Sequence, residues 1–179
     1  MSSLVANNEI NVIIRPGQIK DAKIVLEIQQ EVISESDYWI TVSEEFNKTT
    51  EQQSKMIQKI LENEREIIIV AEVGDEVVGW LEFQSHSRKR LAHIGSFGMM
   101  LRKEYRNKGI GKLLIKALLD WVEKNPLIEK VSLGVFSTNH RAIALYKSMG
   151  FIEEGRKIKE FKINNNEYVD DILMYKMVK

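Results

Sequence analysis

The stretch Tyr105–Lys112, Y-R-N-K-G-I-G-K, decides the fold of this 179-residue chain. It follows an apolar run, Ile94–Leu101, and leads into an amphipathic run, Ile110–Val122. This order predicts a strand, a tight turn and the beginning of a helix. Glycines at 109 and 111 remove the Cβ atoms that would keep a ligand away from the backbone.

The same stretch has the properties of an anion site. The first amides of a helix have no intrahelical partner and, together with the helix dipole, they attract a phosphate or diphosphate. Arg106, Lys108 and Lys112 add positive charge around these amides. Taken alone, R-x-x-G-x-G is also compatible with a plain helix start among solvated basic residues. The stretch lacks the G-K-[ST] of a nucleotide-binding phosphotransferase, which disfavours that activity.

The composition is that of a globular protein with a full hydrophobic core. Hydrophobic residues make up 44% of the chain and charged residues 29%, and 26 basic side chains balance 26 acidic ones. The zero net charge disfavours nucleic-acid binding driven by a bulk basic field. The absence of Cys excludes disulfides and a thiol nucleophile, and the three histidines lack the spacing of metal ligands, so we expect no metal. We see no signal peptide and no membrane span, so we expect a cytoplasmic protein.

Hydrophobic periodicity predicts eleven elements in the order β-α-α-β-β-β-α-β-α-β-β. Their expected bounds are Glu9–Arg15, Asp21–Ile33, Thr50–Asn63, Glu66–Glu72, Val77–Ser85, Ala92–Leu101, Lys108–Lys124, Lys130–Ser137, Arg141–Met149, Phe151–Ile163 and Glu167–Val178. A helix joins the strands Ala92–Leu101 and Lys130–Ser137, so these two should be parallel neighbours. We therefore expect an α/β fold of the α+β type. It has one mixed, mostly antiparallel sheet of about seven strands with helices on both faces, in a single domain, 1–179.

A second motif gives these elements a family resemblance. About thirty residues after R-N-K-G-I-G comes N-H-R-A-I-A-L-Y-K-S-M-G-F, Asn139–Phe151, in which Asn139 is placed to cap a helix. Two motifs in this order and spacing are more specific than either alone. The chain resembles the GCN5-related N-acetyltransferase superfamily, from its first strand to the D-D-I-L-M-Y-K-M that ends at Met177.

The resemblance implies acetyl-CoA as the acetyl donor. It implies that the glycine loop holds the diphosphate, and that the strand before the loop carries a bulge and splays from its parallel neighbour to admit the pantetheine arm. Asn139 would face that arm, and Tyr146 would lie near the thioester sulfur. The implied cofactor-binding residues are Met99, Met100, Leu101, Arg106, Asn107, Lys108, Gly109, Ile110, Gly111, Lys112, Asn139 and Tyr146.

Acetyl transfer to an amine defines the catalytic groups to look for. The amine must lose a proton before attack, and the departing thiolate must gain one, which a protonated phenol such as Tyr146 can supply. Tyr146 is also compatible with a core position on an amphipathic helix. For the general base, Glu82, His93 and Ser96 lie on strands near the expected acceptor position, and a water chain to a more distant carboxylate would serve equally well.

The acceptor should lie among the variable parts of the chain. These carry the acidic residues Glu35, Asp37, Glu44, Glu45, Asp170 and Asp171 and the aromatic residues Tyr38, Trp39 and Phe46. Such acids suit a cationic amine, although acidic loops are also common on solvated surfaces. We expect a small-molecule or peptide amine as the partner, without nucleic acid or membrane, and the sequence leaves a homodimer open. The rival functions are acetylation of a protein N-terminus or lysine, and a non-catalytic acyl-CoA-binding module.

Overall fold

The computed structural model describes residues 2–6, 10–35 and 38–179, the first of these ranges by its backbone alone. The helices are α1 (Ala22–Glu35), α2 (Thr50–Leu61), α3 (Ile110–Lys124) and α4 (His140–Ser148). The strands are β1 (Ser2–Ala6), β2 (Ile10–Pro16), β3 (Ile67–Val73), β4 (Glu76–Ser85), β5 (Ile94–Leu101), β6 (Lys130–Phe136), β7 (Ile152–Asn164) and β8 (Glu167–Met177).

Eight strands form one mixed sheet in the order β1-β2-β3-β4-β5-β6-β8-β7. Among the described strands β5 and β6 are the parallel pair, and the other neighbours are antiparallel. The predicted fold class is confirmed, with β1 as one strand more than the sequence indicated. The predicted first strand is confirmed from Ile10 onward, while Glu9 lies outside the described residues.

The helices lie in two layers, one on each face of the sheet, and each layer covers its own hydrophobic cluster. α1 and α2 bury Ile28 and Ile57 with Trp80 and Met100 of the sheet. On the other face, α3 buries an apolar stripe that includes Leu118 against every second residue of the central strands. α4 packs at the edge of the same cluster. Alternate residues of β5 therefore belong to opposite faces, which sets what each face of the central strands presents.

Local signals in the sequence fix where the helices begin. The Thr49 hydroxyl accepts a hydrogen bond from the Gln52 amide at 3.2 Å, so α2 begins with a capping box. Asn139 Oδ1 accepts one from the Ala142 amide at 3.2 Å, which confirms the predicted cap of α4. At the start of α3, Gly109 has a φ of 84°, a left-handed conformation that glycine adopts without strain.

Candidate active site

The parallel strands β5 and β6 part in the middle of the sheet. Their pairing begins at Ile94↔Lys130 and ends at Ser96↔Ser132, although β5 continues to Leu101 and β6 to Phe136. The opened half is a cavity of about 590 Å³. The predicted splay is therefore confirmed. The predicted bulge is wrong, because the register of β5 with β4 runs without a shift from Ser85↔Gly95 to Gly79↔Leu101.

The opened half of β5 presents backbone hydrogen-bonding groups to the cavity. The Arg102 amide donates to the Val78 carbonyl at 3.0 Å, which fixes the residues of β5 that bond to β4. Because bonding alternates along an antiparallel pair, the peptide groups of Met99 and Leu101 point toward β6, where no ladder partner follows Ser96, and the Leu101 carbonyl accepts a hydrogen bond from Arg106 Nε. An extended ligand in the gap could pair with these groups as a strand does.

The glycine loop closes one end of this gap. Asn107 and Gly109 both have positive φ values, 61° and 84°, and the chain turns there directly into α3. The first intrahelical bond of α3 is donated by the Leu113 amide to the Gly109 carbonyl at 3.2 Å. The three preceding amides, 110–112, make no backbone hydrogen bond among the described residues, so they are available to an anion.

Two residues of the loop have packing roles that the motif alone does not reveal. A Cβ on Gly111 would lie 3.3 Å from Met99 Cε and 3.3 Å from Leu145 Cδ2, so glycine allows α3 to approach β5 and α4 closely. Ile110 is 1% exposed and its side chain belongs to the core. Of the predicted cofactor residues, Ile110 can therefore contribute its backbone alone.

The basic residues of the loop are held by specific contacts. Arg106 Nη2 lies 2.8 Å from Glu35 Oε2, and Arg106 Nε donates to the Leu101 carbonyl at 3.0 Å. Lys108 Nζ lies 5.5 Å from the centre of the Tyr105 ring. Arg106 and Lys112 line the cavity. The sequence placed Glu35 among residues for a cationic acceptor, whereas the structure pairs it with an arginine of the glycine loop.

Tyr146 forms part of the cavity wall opposite the opened strand. Its ring packs edge-to-face on Phe97, with 5.7 Å between the ring centres. Its hydroxyl makes no hydrogen bond to the described part of the chain. Burial raises the pKa of the Tyr146 phenol to about 12, so this group is protonated at neutral pH.

Glu82 is a half-buried carboxyl group on β4, one strand away from the cavity lining at Gly98. It pairs with Gly98 across β4 and β5, and directly opposed residues share a face, so Glu82 lies on the α1–α2 side. Its Oε2 is buried without a hydrogen-bond partner among the described residues. Burial raises the pKa of Glu82 to about 7, against the attraction of Lys48 and with a contribution from Glu66. A carboxyl group of this acidity can accept a proton near neutral pH.

The other two candidates for the general base lie farther from the opened half of β5. Ser96 shares the face of Glu82 but is exposed at the last paired position. His93 precedes β5, and its carbonyl accepts the amides of Glu129 and Lys130 at 2.9 and 3.2 Å. Six residues of strand separate His93 from Met99, roughly 20 Å. The geometry therefore favours Glu82 over both.

The loop after α1 covers one side of the cavity. Tyr38, Trp39 and Ile40 line it, and Trp39 also packs on the α1–α2 cluster together with Phe46. Of the aromatic residues predicted here, Tyr38 and Trp39 line the cavity, and Phe46 packs on the hydrophobic core. A second cavity of about 490 Å³ adjoins the first along Trp39 and Ile40.

The predicted acidic residues do not act as one group. Asp171 lines the main cavity and Glu44 lines the second one. The Glu45 carboxylate accepts a hydrogen bond from the Val42 amide at 3.4 Å within a local turn, and the Asp170 carboxylate accepts one from the Lys159 amide at 2.7 Å between β8 and β7. Asp37 lies outside the described residues.

Comparison with known proteins identifies this arrangement. The model of the acetyltransferase (GNAT) family matches residues 33–151, which contain the gap, the glycine loop and α4. The chain belongs to the GNAT family of acetyltransferases. The family resemblance predicted from the two motifs is therefore confirmed, and the protein is an acetyl-CoA-dependent acyltransferase that acts on amines.

Individual relatives agree with this GNAT assignment. The L-amino acid N-acetyltransferase AaaT of Escherichia coli is 31% identical over 106 residues, which are 59% of this chain and 65% of that protein. The spermidine N(1)-acetyltransferase of Vibrio cholerae is 28% identical over 139 residues, 77% of each chain. The crystal structure of a GNAT-family acetyltransferase from Streptococcus pneumoniae superimposes with a TM-score of 0.89 at 26% identity, covering 94% of this chain and 99% of that one.

The described residues contain no group of three His, Cys, Asp or Glu side chains that could hold a metal ion. None of the described helices combines the length and the apolar character needed to cross a bilayer.

Proposed function

We propose that this protein transfers the acetyl group of acetyl-CoA to the primary amine of a small molecule or peptide, by direct attack of the amine on the thioester. The opened half of the β5–β6 pair carries this proposal. It is a slot with unpaired strand groups along one side and free helix amides at one end. These are the partners that an amide-containing arm and a diphosphate require.

The cradle for the diphosphate would consist of the amides of residues 110–112, with Arg106 and Lys112 beside them. The N–H and carbonyl of Met99 and the N–H of Leu101 would pair with the pantetheine arm, since the Leu101 carbonyl accepts from Arg106 Nε. Asn139, which caps α4, and Tyr146, which lies within α4, both line the cavity and would contact the same arm. Acetyl-CoA supplies the acetyl group as a thioester; the chain supplies the slot that fixes its direction.

Glu82 would act as the general base. An alkyl ammonium has a pKa of about 10.4 in water, so most of the acceptor arrives protonated. The Glu82 carboxylate would accept one proton from that ammonium, and the neutral nitrogen could then form a bond to the thioester carbon. A backbone N–H of the opened strand near Leu101 would donate to the thioester oxygen as negative charge develops there.

Tyr146 would donate its phenolic proton to the sulfur as the carbon–sulfur bond breaks. A phenol with a pKa of about 12 is a weak acid for a thiol near 8.5. Burial in the cavity raises the pKa of the phenol, and it also raises the pKa of a thiol in the same cavity. The difference between the two pKa values is therefore smaller than in water. The nitrogen releases its second proton to solvent as the amide forms. Glu82 then returns its proton to solvent, and the Tyr146 phenolate takes up a proton from solvent.

Two rival functions differ from this proposal in testable ways. Acetylation of a protein N-terminus or lysine needs an acceptor groove that admits a chain, whereas Tyr38, Trp39 and Ile40 wall the acceptor side here. A non-catalytic acyl-CoA-binding module has no need of a buried, unpartnered carboxyl group such as Glu82 beside the thioester position. We also propose that residues 1–179 form one catalytic domain, because both hydrophobic clusters pack on the same sheet.

The decisive experiment measures thiol release from acetyl-CoA across a panel of amines, amino acids and short peptides. Calorimetry with CoA tests the slot independently of any acceptor. Binding with amine-dependent thiol release supports the proposed reaction. Binding without turnover on the whole panel would favour the binding module, and an absence of binding would refute the assignment of the slot.

A further inference from the structure

Two glycines, Gly98 of β5 and Gly134 of β6, line the cavity. Glu82 of β4 pairs with Gly98, and each glycine lies two residues beyond the last paired position, Ser96↔Ser132. A Cβ built on Gly98 meets nothing within 4 Å, so open space lies above this position. The two glycines thus leave a clear strip where the strands part.

Asp171 closes the far end of this strip. It pairs with Phe136 across β6 and β8, and its carboxylate leans back over Gly134, where a Cβ would lie 2.8 Å from Asp171 Oδ1. Asp171 is 8% exposed and lines the cavity. Lys157 Nζ lies 3.6 Å from Asp171 Oδ2. Oδ1 receives no hydrogen bond from the described residues, so this oxygen is available above the strip.

We infer that Asp171 binds a second cationic group of the acceptor, so that the preferred substrate is a diamine rather than a simple amine or an amino acid. This inference rests on the proposed function, in which Glu82 takes the proton of the reacting amine. Asp171 would then be a specificity-determining residue that takes no part in the chemical step.

The spacing of the two carboxyl groups suits such a substrate. In a continuous sheet β4 and β6 lie two strand spacings apart, about 10 Å, and the parting of β5 from β6 increases this distance. The nitrogens of an extended four-carbon diamine are about 6 Å apart, and a contact of about 2.8 Å at each end brings the total to about 12 Å. A free amino acid would instead place its carboxylate near one of the two acids, which like-charge repulsion disfavours.

The test uses three amines of equal length that differ at the far end. 1,4-Diaminobutane carries a second ammonium, 1-aminobutane carries a methyl group, and 4-aminobutanoate carries a carboxylate. We expect kcat/KM for the diamine to exceed that for 1-aminobutane by roughly 10- to 100-fold, because a buried carboxylate gains a charged hydrogen bond. 4-Aminobutanoate should be the poorest of the three.

Two variants should change the selectivity in opposite directions. Asp171→Asn keeps the shape of the side chain and should bring the ratio of kcat/KM for the diamine to kcat/KM for 1-aminobutane close to one. Lys157→Met removes the ammonium that competes for Asp171, and it should raise the ratio. Glu153→Gln, which removes an exposed carboxylate of β7 away from the cavity, is the matched control and should leave the ratio as it is.

Gly134→Ala provides a further check that does not change charge. Its Cβ would push the Asp171 carboxylate from the strip and should lower the ratio. Thermal denaturation of each variant distinguishes a loss of selectivity from a loss of folding. Because Lys157 is half-exposed, Lys157→Met should fold, so it tests the inference even where Asp171→Asn does not fold. Equal rates with all three amines, or an unchanged ratio in Asp171→Asn and Lys157→Met, would overturn the inference while leaving acetyl transfer intact. CoA binding without acetylation of any amine would remove both the proposed function and this inference.

Discussion

Replacing Glu82 by Gln tests the acid–base assignment and has a consequence for stability that can be worked out in advance. Glu82 is mostly buried on the sheet, and its pKa rises from 4.5 to about 7 because burial disfavours the charged form. In the unfolded chain the same group ionises at its ordinary value. The folded protein therefore holds the Glu82 proton more tightly than the unfolded chain does.

The sign of the effect follows from this difference. Below pH 4.5 the group is protonated in both states and adds no pH dependence to the free energy of unfolding. As the pH rises from 4.5 to about 7, Glu82 ionises in the unfolded chain while it stays protonated in the folded protein. The free energy of unfolding therefore falls over this range. At about 1.4 kcal/mol per pH unit, the loss reaches about 3 kcal/mol above pH 7.

Glu82→Gln cannot ionise and should escape this loss. At pH 8 the variant should be more stable than the wild type by about 3 kcal/mol, equivalent to a rise of roughly 6–12 °C in Tm, while at pH 4 the two should be equal. Urea denaturation at both pH values measures the difference. The activity should move the other way, with kcat/KM falling by roughly 10²- to 10⁴-fold and losing its ionisation near pH 7.

Two results would contradict this reasoning. An equal difference in stability at pH 4 and pH 8 would mean that Glu82 is not a buried group of raised pKa. A stabilised variant with full activity would mean that the buried carboxyl group is not the base. The proposal requires that stability and activity change in opposite directions, as expected where a protein retains an unfavourable burial for function.

Three further variants probe the slot. Gly109→Glu should reduce CoA affinity by at least 100-fold in calorimetry, because an acidic side chain at a left-handed position both strains the turn and repels the diphosphate; unchanged affinity would remove the loop from the site. Tyr146→Phe should lower kcat by roughly 10²-fold and leave CoA affinity within about two-fold, and equal kcat would reduce Tyr146 to a packing role. Glu35→Gln should tighten CoA binding roughly three- to ten-fold at low salt by freeing Arg106 for the diphosphate, whereas weaker binding would show that Glu35 instead positions that arginine.

Much of the fold could be predicted because its signals are local. The glycine loop indicates the end of a strand and the start of a helix, and Asn139 is placed to cap α4. The helical crossover requires β5 and β6 to be parallel. The two predictions that differ from the structure concern features without a local signal. β1, Ser2–Ala6, has five residues and is too short to show strand periodicity. The bulge was carried over from the resemblance, and no residue pattern in β5 required it.

The candidate site was predictable in position but not in its electrostatics. Tyr146 and the glycine loop could be found from motifs, since spacing along one helix or loop is visible in the sequence. The raised pKa of Glu82 depends on burial beneath α1 and α2, which only the packed layers create. The pairing of Glu35 with Arg106, 71 residues apart, and the position of Asp171 over Gly134 likewise arise from tertiary contacts that no local pattern encodes.

The early end of pairing at Ser96↔Ser132 has a structural consequence beyond catalysis. It leaves the molecule with two strand edges in its interior, where α3, α4 and the loop after α1 shield them from other chains. The sheet is thus continuous at one end of these strands and divided at the other. A bound pantetheine arm would take the place of the missing strand, so the substrate itself completes the architecture of the enzyme that consumes it.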